Sequence, residues 1–276
     1  METFTPRTDI LPLAQQQLWP ELRPVKTLGY VLYGGTAVAL RLGHRQSVDF
    51  DFFTSHPVDR GELRQHLPFL REAEVTQENG NTFEVITASG VKVSFFGGLD
   101  FERTGEPQET TDGVLLVASL PDLMAMKVIL QRSAAKDYQD IAAMVRAGVR
   151  VDLGLAAAEQ MIKPTFPPSE LLKALVYFEG GDMRRLSPED RAVLKAAAAA
   201  VKSLPVVELK PRLTLGETAW VTCCPIDPGF EMEAGAFLLE FSKVTLAHNV
   251  ARQAHDLRRL VRINRTSWGD DQGLSE

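Results

Sequence analysis

Cysteine is nearly absent. The 276 residues hold two, Cys223 and Cys224, and they are adjacent. Neighbouring cysteines are poorly placed for an ordinary disulfide, and two thiols do not make a zinc site. This usage suits a reducing cytoplasm. No run is long and apolar enough to span a bilayer, so no membrane contact is expected. The N-terminus lacks an apolar core preceded by basic residues, so no secretory leader is expected either. Basic charge is also in deficit: 30 Lys and Arg against 36 Asp and Glu leave a net charge of −6. That argues against a chain covered in basic surface for nonspecific nucleic-acid binding. What remains is an ordinary globular composition, 45% hydrophobic and 24% charged, long enough for one large or two modest domains.

The chemistry concentrates in one stretch, Tyr30 to Ser55. An apolar run, Tyr30 to Tyr33, ends in Gly34-Gly35-Thr36. A short helical pattern follows through Leu42, with Arg41, His44 and Arg45 near its end. Then Ser47-Val-Asp-Phe-Asp-Phe-Phe alternates with period two. Side chains at i and i+2 of a strand share a face. Asp49 and Asp51 are therefore expected to point one way, with Val48, Phe50 and Phe52 turned into a core. Two carboxylates about 4 Å apart repel by about 4 kcal/mol at surface-like dielectric. A solvated edge strand could tolerate that. A hard divalent cation such as Mg²⁺ would remove it, and Mg²⁺ is commonly shared with substrate phosphates. Gly-Gly-Thr at a strand-to-helix turn fits the second reading. Glycine admits close approach of a ligand to the backbone, and N–H groups at a helix start favour an anion.

The run GGTAVALRLGHRQSVDFDFF closely resembles the first motif of the AbiEii/AbiGii-type nucleotidyltransferase toxins, relatives of the MenT toxins within the DNA polymerase β-like superfamily. The match comprises the glycine pair, a small hydroxyl residue, a helix, Gly-His-Arg and Ser-x-Asp-x-Asp, and the likeness extends over about Val25 to Asp182. Ala134-Ala-Lys-Asp-Tyr-Gln-Asp-Ile resembles the second signature, a lysine-bearing helix followed by Arg/Lys-Asp-x-x-Asp-Leu/Ile. The resemblance implies transfer of a nucleoside monophosphate from an NTP to a hydroxyl. Asp49 and Asp51 would hold Mg²⁺. Gly34, Gly35, Thr36 and Ser47 would contact the triphosphate, with Arg41 and Arg45 as auxiliary contacts or mere helix-end cations. Lys127 would neutralise phosphate charge, although its position beside a core face also suits a snorkelling lysine. Asp137 and Asp140, at i and i+3, would be orienting or metal-supporting acids, with Asp137 preferred. His44 reads as structural. Family likeness also implies an RNA acceptor, in particular the end of tRNA, and a cognate antitoxin.

One departure stands out. The superfamily usually carries a third carboxylate on a strand beside Asp-x-Asp, and the matching position in Val-Lys-Val-Ser-Phe-Phe is Ser94. Either two acids plus substrate phosphates suffice, or another acid completes the set, or catalysis is impaired. Hence two alternatives stand beside the toxin-like enzyme: a catalytically weak NTP-binding or interaction protein, and a nucleotidyltransferase acting on a protein or small molecule.

Around this centre the pattern predicts an α/β (α+β) protein. A nucleotidyltransferase-fold mixed sheet with flanking helices fills residues 1–145, and a mainly helical part fills 146–276. Phe4 and Pro6 lie in a flexible lead, and Leu11 to Leu22 is a helix. Pro57 to Leu70 is a helix capped by Asp59. Strands cover Glu74–Glu78, Thr82–Thr87 and Val91–Phe96, the first two joined at Asn79-Gly80. Val114–Ala118 is a short strand. Helices run from Pro121 with Ser119 as N-cap, over Leu153–Ile162 and Pro168–Phe178, and from Ser187 through an alanine-rich run. Val206 to Val221 is extended. Phe230 to Ile263 is a long helix whose Arg252, Arg258, Arg259, Arg262 and Arg265 are either cations at a helix end or a docking patch for RNA phosphate.

Overall fold

The computed structural model describes residues 2–99, 102–130, 134–161 and 168–210. Cys223-Cys224, most of the extended stretch from Val206 to Val221, and the helix with its arginines lie outside the described residues. In chain order the elements begin with β1 (Thr3–Phe4), α1 (Leu13–Leu18), α2 (Pro24–Thr27), β2 (Val31–Tyr33), α3 (Gly34–Leu42), β3 (Asp49–Phe53) and α4 (Arg60–His66). The strands β4 (Glu74–Asn79), β5 (Thr82–Ile86), β6 (Lys92–Phe96), β7 (Gln108–Thr110) and β8 (Leu116–Val117) follow. Five helices close the described chain: α5 (Leu120–Leu130), α6 (Ala135–Arg146), α7 (Val151–Met161), α8 (Pro168–Leu175) and α9 (Pro188–Ala200).

The strands form one mixed sheet in the order β1-β7-β8-β2-β3-β6-β5-β4. Its central strands are β2 and β3, antiparallel to each other, with β6 parallel to β3. Alternation decides the faces. Phe50, Phe52, Phe83, Val85, Val93 and Phe95 point to one side and are fully buried. Their rings stack in sequence, Phe50 on Phe52 at 6.1 Å and Phe52 on Phe95 at 5.4 Å. Trp19 and Tyr30 cover this face from the N-terminal segment. Helices α5 and α6 pack on α3, α7 packs on α5, and α9 packs on α6. One buried apolar cluster runs from Leu11 to Leu194. Among the described residues, no helix is long and apolar enough to cross a membrane.

Local signals set many boundaries. The Asp59 carboxylate accepts from the Glu62 N–H at 2.9 Å, and the Ser187 hydroxyl accepts from the Asp190 N–H at 3.0 Å. Each satisfies a donor that a helix start leaves unpaired. Gly43 ends α3 at φ +64. Three expectations need correction. Phe4 is not in a flexible lead: Thr3–Phe4 pairs in parallel with β7, and the Arg41 guanidinium lies 4.3 Å from the Phe4 ring centroid. Val48 does not enter the core: it precedes β3 and is 58% exposed. The helix expected over Leu11 to Leu22 is shorter, because Pro20 tightens the chain into a 3-10 turn at Trp19–Leu22.

Candidate functional site

The β2–α3 turn organises the site. Gly34 opens α3 at φ +75, a left-handed conformation that side chains resist. A Cβ there would lie 2.3 Å from Asp51 Oδ2. A Cβ on Gly35 would lie 2.6 Å from an Arg45 guanidinium nitrogen, 3.0 Å from Ser47 Oγ and 3.4 Å from Asp140 Oδ2. The glycine pair is thus clasped between two groups of charged side chains, and only hydrogen fits on either side. The Thr36 hydroxyl donates to the Asp49 carbonyl and is buried. That bond ties the start of α3 to the start of β3, so the Thr36 side chain braces the turn.

On one side of the turn are the carboxylates. Asp49 and Asp51 share a face of β3, half-buried, with Phe50 and Phe52 opposite. Asp51 stands beside Tyr33 on β2 and beside Ser94 on β6, and Asp49 stands beside Lys92. One strand further, Glu84 pairs with Ser94. The Lys92 ammonium bonds the Glu84 carboxylate at 2.7 Å. Burial pushes the Glu84 carboxyl up, but hydrogen bonds from Lys92 and Thr76 and the Lys92 charge outweigh it, so it stays below the usual range. Sequence reasoning passed over Glu84 and Lys92. Their period-two positions, between Phe83 and Val85 and between Val91 and Val93, were the available signal.

On the other side is a buried ionic cluster. Lys127 on α5 pairs with Asp137 at 2.5 Å and with Asp140 at 2.7 Å, both on α6. Arg45 donates to the two Asp140 oxygens at 2.6 and 2.8 Å. His44 bonds Asp140 Oδ1 at 2.7 Å. Burial alone would raise the Asp140 pKa. The Lys127 charge and the hydrogen bonds from His44 and Arg45 outweigh it and hold the carboxyl well below the ordinary carboxylate range. Two cations face two carboxylates here, so the cluster orients N–H donors without presenting net charge. His44 belongs to this cluster, which is consistent with a structural role.

Arg41 lies apart. Its guanidinium donates to the Ala118 and Val117 carbonyls at 2.9 Å and to the Gln108 amide oxygen. These bonds anchor α3 to β7 and β8, so Arg41 braces the sheet edge, in keeping with the helix-end alternative. Burial lowers its pKa to about 10.

Oxygen-only donors on one partly exposed strand face, flush against a turn where no Cβ fits, suit a hard divalent cation. Among the described residues, no three His, Cys, Asp or Glu side chains gather as metal ligands. A cation on Asp49 and Asp51 would therefore draw its other ligands from substrate or water. Residues 22–167 match the family model described as nucleotidyl transferase AbiEii toxin, type IV toxin–antitoxin system. An uncharacterized protein of Aquifex aeolicus is 31% identical over 169 residues, which is 57% of this chain and 80% of that relative.

Proposed function

Because the chain belongs to the nucleotidyl transferase AbiEii toxin family, we propose that it transfers a nucleoside monophosphate from an NTP to a hydroxyl of an RNA acceptor. The acceptor oxygen bonds the α-phosphorus while the bond to the bridging oxygen breaks. The electron pair leaves with pyrophosphate, and the hydroxyl proton passes to water. Mg²⁺ on Asp49 and Asp51 would supply charge at the attacking and leaving oxygens.

This chain's residues divide the remaining work. The backbone N–H groups of the Gly34-Gly35 turn and the Ser47 hydroxyl bind the triphosphate, since a helix start favours an anion. Arg45 and Lys127 add directed donors to it. Asp140 holds both cations in place, and Asp137 holds Lys127 from its other side. The observation that carries this reading is the clasp of Gly34 and Gly35 between Asp51 and the Arg45–Asp140 pair. A phosphate cradle and a carboxylate pair are thereby adjacent. The partner in the cell is a cognate antitoxin, as the type IV description of the family suggests.

One observation favours a second reading. Ser94, not an acid, stands beside Asp51, which suits a weakly catalytic NTP-binding protein. An assay separates the two. Each labelled NTP is incubated with the protein, Mg²⁺ and total RNA, beside the Asp49→Ala and Asp51→Ala variants. Label in RNA from the native protein alone supports transfer. Nucleotide binding without transfer supports the second reading. Equal label in all three removes these aspartates from the mechanism.

A further inference from the structure

Resting on that reading, we infer that the β5–β6 strip beside the carboxylate pair is the acceptor side of the site, and that Lys92 contacts a phosphate of the RNA acceptor there. Phosphoryl groups transfer with attacking and leaving oxygens roughly in line. The leaving pyrophosphate belongs with the Gly34-Gly35 turn, Arg45 and Lys127, on the α3 and α6 side of Asp49 and Asp51. The attacking hydroxyl must then approach from the opposite side of those carboxylates. On the sheet face that carries them, the next strands in that direction are β6 and then β5.

Register identifies what the acceptor meets. Lys92 is level with Asp49, Ser94 with Asp51, and Glu84 with Ser94, all on the aspartate face. The opposite face of these strands is closed by Phe83, Val85, Val93 and Phe95. Lys92 is 40% exposed and tied to Glu84, which is 17% exposed. An ion pair so exposed contributes little to stability. It does keep a lysine on the strand next to the carboxylates, level with Asp49. On a chain of net charge −6, a lysine on this strip favours an RNA backbone that passes beside the metal site. Lys92 is placed to do so by exchanging Glu84 for a phosphate oxygen. A protein hydroxyl acceptor carries no phosphate and would draw nothing from Lys92.

The experiment measures KM for total RNA and for the NTP, at several KCl concentrations, in the native protein and in Lys92→Ala, Lys92→Arg and Glu84→Gln. Lys92→Ala should raise the RNA KM about tenfold, leave the NTP KM unchanged, and make the logarithmic salt slope shallower by about 0.7. Lys92→Arg should restore both values. Glu84→Gln should lower the RNA KM, because it frees Lys92, whereas a merely structural pair would make both single variants worse. An RNA KM within twofold of native in Lys92→Ala with an unchanged slope overturns the proposal, as does label in protein in place of RNA. Absence of transfer by the native protein is a different result, and it defeats the nucleotidyl-transfer reading itself.

Discussion

Asp140→Asn tests the buried cluster most directly. The Asp140 side chain is fully buried and accepts at both oxygens: from His44 and Arg45 at Oδ1, and from Arg45 and Lys127 at Oδ2. An amide keeps one oxygen. Its NH2 group would face donors of Arg45 together with either His44 or Lys127, so two of the four contacts are lost and become donor against donor. A hydrogen bond to a charged group contributes about 1.5–3 kcal/mol. Losing two such bonds agrees with the 3–5 kcal/mol typical of removing one partner from a buried ion pair. Lys127 and Arg45 would be left with Asp137 as the cluster's remaining carboxylate. Urea unfolding followed by tryptophan fluorescence should show the variant about 3–5 kcal/mol less stable. That is a large part of the about 5–15 kcal/mol total of an ordinary domain. A loss below about 1 kcal/mol would mean that the cluster is solvated or rearranges, and would refute the reasoning.

The same group sets an acid limit. The folded-state pKa of Asp140 is depressed, so its contribution is complete above the unfolded value of about 4 and declines as pH falls below it. Urea midpoints should drop between pH 6 and pH 3, and Asp140→Asn should flatten that drop. Gly34→Ala combines a left-handed φ, about 1–2 kcal/mol, with a Cβ 2.3 Å from Asp51 Oδ2, about 1–3 kcal/mol of overpacking. It should abolish transfer and lower stability by about 2–5 kcal/mol, measured by labelling and urea unfolding; native activity would remove the turn from the site. Chelation by EDTA should stop transfer and leave the urea midpoint unchanged, since backbone pairing with β2 and β6 holds β3 in place. A shifted midpoint would assign the metal a structural role.

What the sequence by itself determined was local. The alternation of Asp49, Phe50, Asp51 and Phe52 sorted carboxylates from core because a strand repeats every two residues. Asp59 and Ser187 marked helix starts, and Asn79-Gly80 marked a hairpin, because those side chains and backbone angles act within a few residues. The spacing of Asp137 and Asp140 placed both on one helix face. Tertiary structure decided everything that joins distant segments. Phe4 gains a partner more than a hundred residues away in β7, and Arg41 turns to β8 although it lies four residues before Arg45. His44 and Arg45 meet Asp140 across 95 or 96 residues of chain. Whether Glu84 stands beside Ser94, and Lys92 beside Asp49, depends on strand order and register. Those follow from burying one whole face of the sheet, and no short window of sequence carries that information.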